Sequence, residues 1–277
     1  MSEAAAEPRQ RAPSGAYGLL AALWLVGGLL LGFMLLPLIA LTLSESPALL
    51  MRVAGMADVR AAIELSLAGA FVAGAFAALF GIPLAWLLAR AAFPGRAVIA
   101  AIVDLPLAVP HTVAGIALLF VFGRRGVLGA PAEALFGLQF WGSFAGIVVA
   151  MLFVAAPYTV NAARIGFEAI DPRLEMVART LGLGPWAVWW RISLPLARRG
   201  IATGLTLTFA RALSEFGAIV IIAYYPKTAP VMIYELFLRF GIHEAAAMSV
   251  LLLAISLAVF VMLRALAFGR PIVGGHR

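Results

Sequence analysis

Cysteine is absent from this 277-residue chain, so no disulfide can form and the redox compartment leaves no mark on the sequence. Charge is scarce: Asp, Glu, Lys and Arg together make 12% of the residues, about half of the roughly 25% of a soluble domain. Lysine occurs once, as Lys227 after Pro226. A phosphate-binding loop of the form G-x-x-x-x-G-K-[S/T] therefore cannot be built, and ATP hydrolysis is expected on another polypeptide. The histidines are His111, His243 and His276, too scattered for a metal cluster. Neither G-x-S-x-G nor H-E-x-x-H occurs. No catalytic residue, metal or cofactor is expected.

The chain is instead 64% hydrophobic with a mean hydropathy of +1.05, the composition of a polytopic membrane protein. A net charge of +7 in a soluble chain would point to nucleic acid. Here the basic residues lie mostly between apolar runs, so lipid headgroups are the expected partner and nucleic acid is not. A helix needs about 20 apolar residues to cross a bilayer. On that criterion the all-α reading has six spans, near 17–43, 61–88, 98–122, 140–162, 201–224 and 244–268. The first run is too long for a signal-peptide core of about 7–15 residues. Residues 1–16 read as a disordered cytoplasmic segment, 17–268 as the membrane domain and 269–277 as a cytoplasmic tail.

Placing both ends in the cytoplasm puts Arg9, Arg11, Arg90, Arg96, Arg164, Arg173, Arg179, Arg191, Arg198, Arg199, Arg264, Arg270 and Arg277 inside. Arg52, Arg60, Arg124, Arg125, Lys227 and Arg239 fall outside, and Arg211 lies within a span. The bias obeys the positive-inside rule. Arg124 and Arg125 run against it.

The segment 164–200 is long for a connection without a function. In "DPRLEMVARTLG", Asp171 is placed to cap a helix, Pro172 to open it and Gly182 to end it. A second short helix begins at Pro185, and Pro195 is expected to limit its run. Such a pair, with an apolar face, makes a docking knob under the membrane. An interfacial amphipathic helix accounts for the same tryptophans and arginines.

The spacing from Gly182 through nine residues to Ile192-Ser193-Leu194-Pro195 resembles the cytoplasmic coupling loop of ABC importer permeases. That loop reads E-A-A, three residues, G, nine residues, I, one residue, L-P. Ala178 matches its second alanine, while Met176 and Val177 stand in place of the glutamate and first alanine. Arg179, Thr180 and Leu181 complete the run to Gly182. A one-residue shift turns a helical side chain by about 100°, so the glutamate's role is not transferred to Glu175. "LPLAVPHTVAGIALLFVFGRRGVLG" (105–129) is similar to the third-span region of molybdate, tungstate and sulfate permeases, with His111 where a second proline is common. "ARALSEFGAIVIIAYYPKTAPVMIYE" (210–235) looks most like tungstate/molybdate permeases.

The resemblance implies a homodimeric permease of the bacterial inner membrane, partnered by two ABC ATPase subunits inside and one oxyanion-binding protein outside. It implies alternating-access import of tungstate or molybdate. It also makes 176–182, Gly184, Trp186, Ile192, Leu194 and Pro195 the ATPase-coupling residues. A sulfate or other small-anion permease of the same family stays open, as does an ion-coupled secondary transporter.

Arg211 and Glu215 lie deep in the fifth expected span, four residues apart, where a charge near the bilayer centre costs about 2.5–3.5 kcal/mol. They can share a helix face. A structural ion pair and a place on the pathway both fit. An oxyanion favours Arg211 and Ser214 as pathway residues, with Glu215 neutralised by Arg211. Pro106 and Pro110 distort the third span and free backbone carbonyls, and His111 and Thr112 follow where they can face the path. A histidine paired only for structure is the plainer alternative. Asp104 is expected to cap or to pair with a loop arginine. Arg124 and Arg125 are candidates for docking the binding protein, or for snorkelling to headgroups.

Overall fold

A computed structural model of the chain describes residues 14–268. The expected polar segments 1–16 and 269–277 fall outside it, except that 14–16 already belong to the first helix. The described residues form α- and π-helices and no strand. They divide into two units at Pro47.

The first unit carries α1, Ser14–Ser44, which is apolar on every side. A helix hydrophobic all round belongs in lipid or in a core, and Gly18–Ser44 is long and apolar enough to span.

The second unit holds the rest: α2 (Pro47–Gly55), α3 (Ala57–Phe76), α4 (Ile82–Arg90), α5 (Arg96–Ala108), α6 (His111–Phe122), α7 (Gly129–Phe136), α8 (Phe144–Glu168), α9 (Pro172–Thr180), α10 (Pro185–Val188), α11 (Leu194–Leu213), α12 (Ile219–Ile222), α13 (Ala229–Phe240) and α14 (Ile242–Phe268). A π-turn, Ala77–Gly81, joins α3 to α4, so that 57–90 is one candidate span. α8 and α14 supply two more.

The third expected span is a bent pair. α5 and α6 meet at 115° across Val109 and Pro110. Proline disfavours the helical region for the residue before it, and Val109 is extended at φ −81°, ψ 129°. Pro110 thus makes the bend, while Pro106 sits buried inside α5 without ending it.

The fifth expected span is also interrupted. α11 stops at Leu213, and the chain turns through Ser214–Ala218 before α12. At its other end α11 follows directly on a second π-turn, Trp189–Ser193, itself continuous with α10. Pro195 therefore does not stop the helix that begins at Pro185. Proline clashes with the carbonyl four residues back and offers it no N–H, and the wider π-turn lets the helix pass. Pro83 after the turn at Ala77–Gly81 repeats the arrangement.

α8 is the central helix, with buried residues from Gly146 to Phe167. Its seam with α11 is made by absence of side chain. A Cβ on Gly200 would lie 2.7 Å from Ala162 O and from Gly166 Cα, and one on Gly204 would lie 2.9 Å from Thr159 Cα. Small residues let helices approach this closely in lipid. Thr208 Oγ1 donates to Ala155 O at 3.0 Å, so Thr159 supplies the proton of their 2.6 Å contact. Gly142, four residues before Gly146, belongs to no such seam: it sits in a turn at φ +61°, ahead of α8.

Candidate functional site

The two helix breaks meet. A Cβ on Gly217, between α11 and α12, would stand 2.7 Å from His111 Cβ, and one on Gly115 would stand 2.8 Å from Ala218 O. Only glycine lets the start of α6 lie against the turn Ser214–Ala218. This junction gathers four sequence-predicted residues from positions a hundred apart.

Arg211, in the last turn of α11, is the hub. Its Nη2 donates to Glu215 Oε2 at 2.7 Å and lies 2.8 Å from His111 Nε2, while Nη1 reaches Ser214 Oγ at 3.3 Å. The same Nη2 lies 3.2 Å from His111 Nδ1. Arginine has only donors, so it donates to whichever ring nitrogen carries no proton, and Nδ1 also lies 3.7 Å from Glu215 Oε2. Glu215 does not continue the helix of Arg211. It lies beyond the end of α11 and is 1% exposed, and its Oε1 accepts from Ala218 N at 2.8 Å. One carboxylate thus neutralises Arg211 and holds the turn into α12.

His111 is 46% exposed and Thr112 is exposed beside it. The first N–H groups of α6, at His111, Thr112 and Val113, have no backbone acceptor among the described residues. A helix start with free N–H groups carries partial positive charge. The junction therefore offers donors on an accessible face and keeps its acid beneath them. Pro110 is exposed at the bend and Pro106 is buried. Among the described residues Asp104 pairs with no loop arginine: Asn161 Nδ2 of α8 donates to it at 2.6 Å.

At the other end of α11 lies the helical pair of 164–200. Asp171 caps α9 through Arg173 N at 2.9 Å, with Pro172 opening the helix. The chain reverses at Gly182, φ +89°, a conformation that disfavours any side chain. Met176, Val177, Leu181 and Trp186 form an exposed apolar surface, Leu181 being 78% and Trp186 71% exposed. Arg179, Thr180 and Gly184 are exposed around it. Trp186 stacks on Trp189 at 5.2 Å and meets Trp190 edge-on at 5.8 Å, which stiffens the second half of the knob. Ala178 is not part of that surface: it is buried against the body. Ile192 and Leu194 are half-buried and Pro195 is exposed.

Residues 81–269 match the family of binding-protein-dependent transport system inner membrane components. The chain belongs to that family. It is 43% identical over 241 residues to the molybdate/tungstate transport system permease protein WtpB of Thermococcus kodakarensis, an alignment covering 86% of this chain and 92% of the relative. It is 40% identical over 206 residues to the molybdenum transport system permease protein ModB of Escherichia coli K12, covering 73% and 90%. Its fold is that of solved ABC transporters. A bacterial alginate ABC transporter, solved with its alginate pentasaccharide-bound periplasmic protein, superposes with a TM-score of 0.72 at 18% identity over 94% of this chain and 96% of that one. The methionine ABC transporter MetNI gives 0.58 at 18% identity, over 76% and 92%.

Within this transport-component fold, Arg124 and Arg125 lie on the tight turn between α6 and α7. Gly123, Gly126 and Gly129 pack so closely there that a Cβ on any of them would strike backbone. The Arg124 guanidinium lies 4.8 Å from the Trp141 ring. Both arginines line a hollow of about 350 Å³ with Trp141. The Arg124–Trp141 contact is a cation–π pair, which sequence spacing does not reveal.

Two groups escaped the sequence reading. Glu175, one position before the expected glutamate, is buried and ion-paired with Arg90 at 3.1 Å. Ser193 Oγ donates to the same Glu175 oxygen at 2.9 Å. The absence of other acids near 176 was the available signal for Glu175, and nothing in the sequence pointed to Arg90.

Proposed function

We propose that the chain is the permease subunit of an ATP-driven importer for molybdate or tungstate, working as a homodimer in the plasma membrane with both ends cytoplasmic. One observation carries the substrate: likeness at about 40% identity, over most of the chain, to permeases named for these anions. The junction geometry agrees in chemistry. Arg211, His111, Thr112 and the start of α6 present donors suited to an oxyanion passing between two copies, and Ser214, whose hydroxyl donates to the Arg211 carbonyl, lies beside them. Glu215, buried below, keeps the net charge low, so the anion is passed along and not held. The permease thus leaves selectivity to an oxyanion-binding protein outside, for which Arg124 and Arg125 form a basic edge.

The exposed surface of Met176, Val177, Leu181 and Trp186 is the docking face for two ATPase subunits, in the manner of a helix laid in a groove. Closure of the ATPases moves the knob and opens the cavity outward, and hydrolysis resets it.

The test has two parts. The permease, expressed with the ATPase and binding protein of its own operon, is purified through a tag on the permease, and the ATPase should be retained. The binding protein should bind tungstate or molybdate far more tightly than sulfate. Tight sulfate binding without tungstate binding would overturn the substrate, and anion uptake into vesicles without ATP or partner would replace the mechanism by ion-coupled transport.

A further inference from the structure

The α9–α10 knob must pass force to the spans, yet α9 is tied to the body by little. Among the described residues, Glu175 is the one α9 side chain that hydrogen-bonds to another element; Thr180 bonds within the helix. The tie is concentrated on Arg90, the last residue of α4. Its Nε donates to Glu175 Oε1 at 3.1 Å and its Nη2 to the Ile170 carbonyl at 2.8 Å. Ser193 Oγ, from the π-turn that feeds α11, donates to the same Oε1 at 2.9 Å. Arg90 is 12% exposed, and Glu175 and Ser193 are buried.

A single guanidinium and a single carboxylate oxygen therefore join α4, the turn after α8, α9 and the root of α11. The guanidinium suits this work because its donors diverge in a rigid fork, where a lysine offers one flexible point charge. Without the tie, α9 has hinges on both sides: the turn at Ala169–Asp171 and the reversal at Gly182. With it, displacement of α9 is shared with α11, a helix of 20 residues and about 30 Å. α11 is itself locked to α8 by the glycine seam and carries Arg211 at its far end.

We propose that Arg90 is a positioning residue that makes the knob, α4 and α11 move as one body, so that ATPase closure is delivered to the Arg211 junction instead of being absorbed by hinging of α9. This rests on reading α9–α10 as the ATPase-docking element.

The complete transporter is reconstituted in vesicles with its ATPase and binding protein, using molybdate as the probe. Molybdate taken up per ATP hydrolysed is measured beside ATPase retention and melting temperature. Arg90→Met should keep the ATPase bound and basal hydrolysis within about twofold, while uptake per ATP falls about tenfold. Arg90→Lys should fall in between. The double variant Arg90→Met, Glu175→Met separates the roles, because removing both charges relieves an unpaired buried ion. Its melting temperature should recover and its uptake per ATP should stay low. Ser193→Ala, expected to lower the ratio about twofold, carries the test if Arg90→Met fails to accumulate. A wild-type ratio in Arg90→Met or in the double variant overturns the proposal, as does loss of the ATPase from Arg90→Met at an unchanged melting temperature. If the wild-type chain itself neither retains an ATPase nor takes up molybdate with ATP, the reading of α9–α10 fails first and the proposal with it.

Discussion

Two arginine–glutamate pairs mark the two ends of α11, and they use the same chemistry to different ends. At the root, Glu175 is buried and Arg90 is 12% exposed, and Ser193 and the Ile170 carbonyl complete the pair. At the far end, Glu215 is buried at 1% exposed, while Arg211 is 19% exposed and His111, 46% exposed, lies open above it. The first pair binds four pieces of backbone together and presents nothing. The second sits where two helices break, and it presents donors. An ion pair in a membrane chain is therefore read from what lies on its open side, and not from its charge or its depth.

The largest effect expected from breaking this contrast lies in the turn beside the first pair. Gly182→Asp should abolish ATP-dependent uptake. It sets a side chain at φ +89° and a charge in the middle of the apolar docking face. The Arg211 junction is untouched, so the chain should still insert and melt near the wild-type temperature. Normal uptake with normal ATPase retention in this variant would remove the docking role.

Next come changes at the second pair. Glu215→Leu leaves Arg211 without its buried partner and Ala218 N without its acceptor, a loss of about 3–5 kcal/mol. Arg211→Met leaves Glu215 buried and alone, at similar cost. Replacing both with Met should recover most of the stability, measured by melting in detergent. Uptake should stay low, because the donors are gone. Recovery of uptake together with stability would make this pair a structural lock like the first, and the contrast would disappear. Arg211→Lys keeps the charge but cannot reach Glu215, His111 and Ser214 together, and uptake should drop with little loss of stability.

A smaller effect is expected from Gly217→Ala. The new methyl would lie 2.7 Å from His111 Cβ, so α6 or the turn must give way, at about 1–3 kcal/mol. The same change at Gly184, where nothing lies within 4 Å, should be close to neutral. Equal melting temperatures for the two variants would mean that the breaks do not meet as described.

Much of this was legible in the sequence wherever the cause is local. Asp171, Pro172, Gly182 and Pro185 place α9 and α10 because capping, proline geometry and positive φ act within a few residues. The spacing of Arg211 and Glu215 allows a pair along one helix face, whereas the two meet across the end of α11. Pro195 misled because a proline read alone ends a helix, whereas the π-turn that admits it is a property of the preceding turn. Glu175 is one residue out of the motif register, a turn of about 100°, and its partner lies 85 positions earlier, where no periodicity links the end of α4 to α9. The place of His111 after Pro110 is visible in the sequence, but its contact with Arg211 depends on Gly217 and Gly115, which carry no chemistry to notice. Local rules gave the elements. The sites came from close approaches that the glycines permit.

The smallest effect concerns a third acidic residue, Glu235 of α13, which lies outside the candidate spans. It accepts from Lys227 Nζ at 2.9 Å, from Arg239 Nη1 at 3.0 Å and from Tyr224 Oη at 3.3 Å. The Lys227 hydrogen bond, opposed by burial and aided by Arg239 and Tyr224, holds its carboxyl below the ordinary value of 4.5. A carboxyl depressed on folding stabilises fully above its unfolded value, and that contribution is lost as pH falls through the lower folded value. The melting temperature of the wild type, minus that of Glu235→Gln, should thus be constant from neutral pH to about pH 5 and shrink below about pH 4.5. With Arg239 largely exposed, the plateau should be worth no more than about 1 kcal/mol. A difference that grows on acidification would show that Glu235 is strained by its site and not supported by it. It would then belong with neither pair, since in both an arginine donates directly to the buried carboxylate.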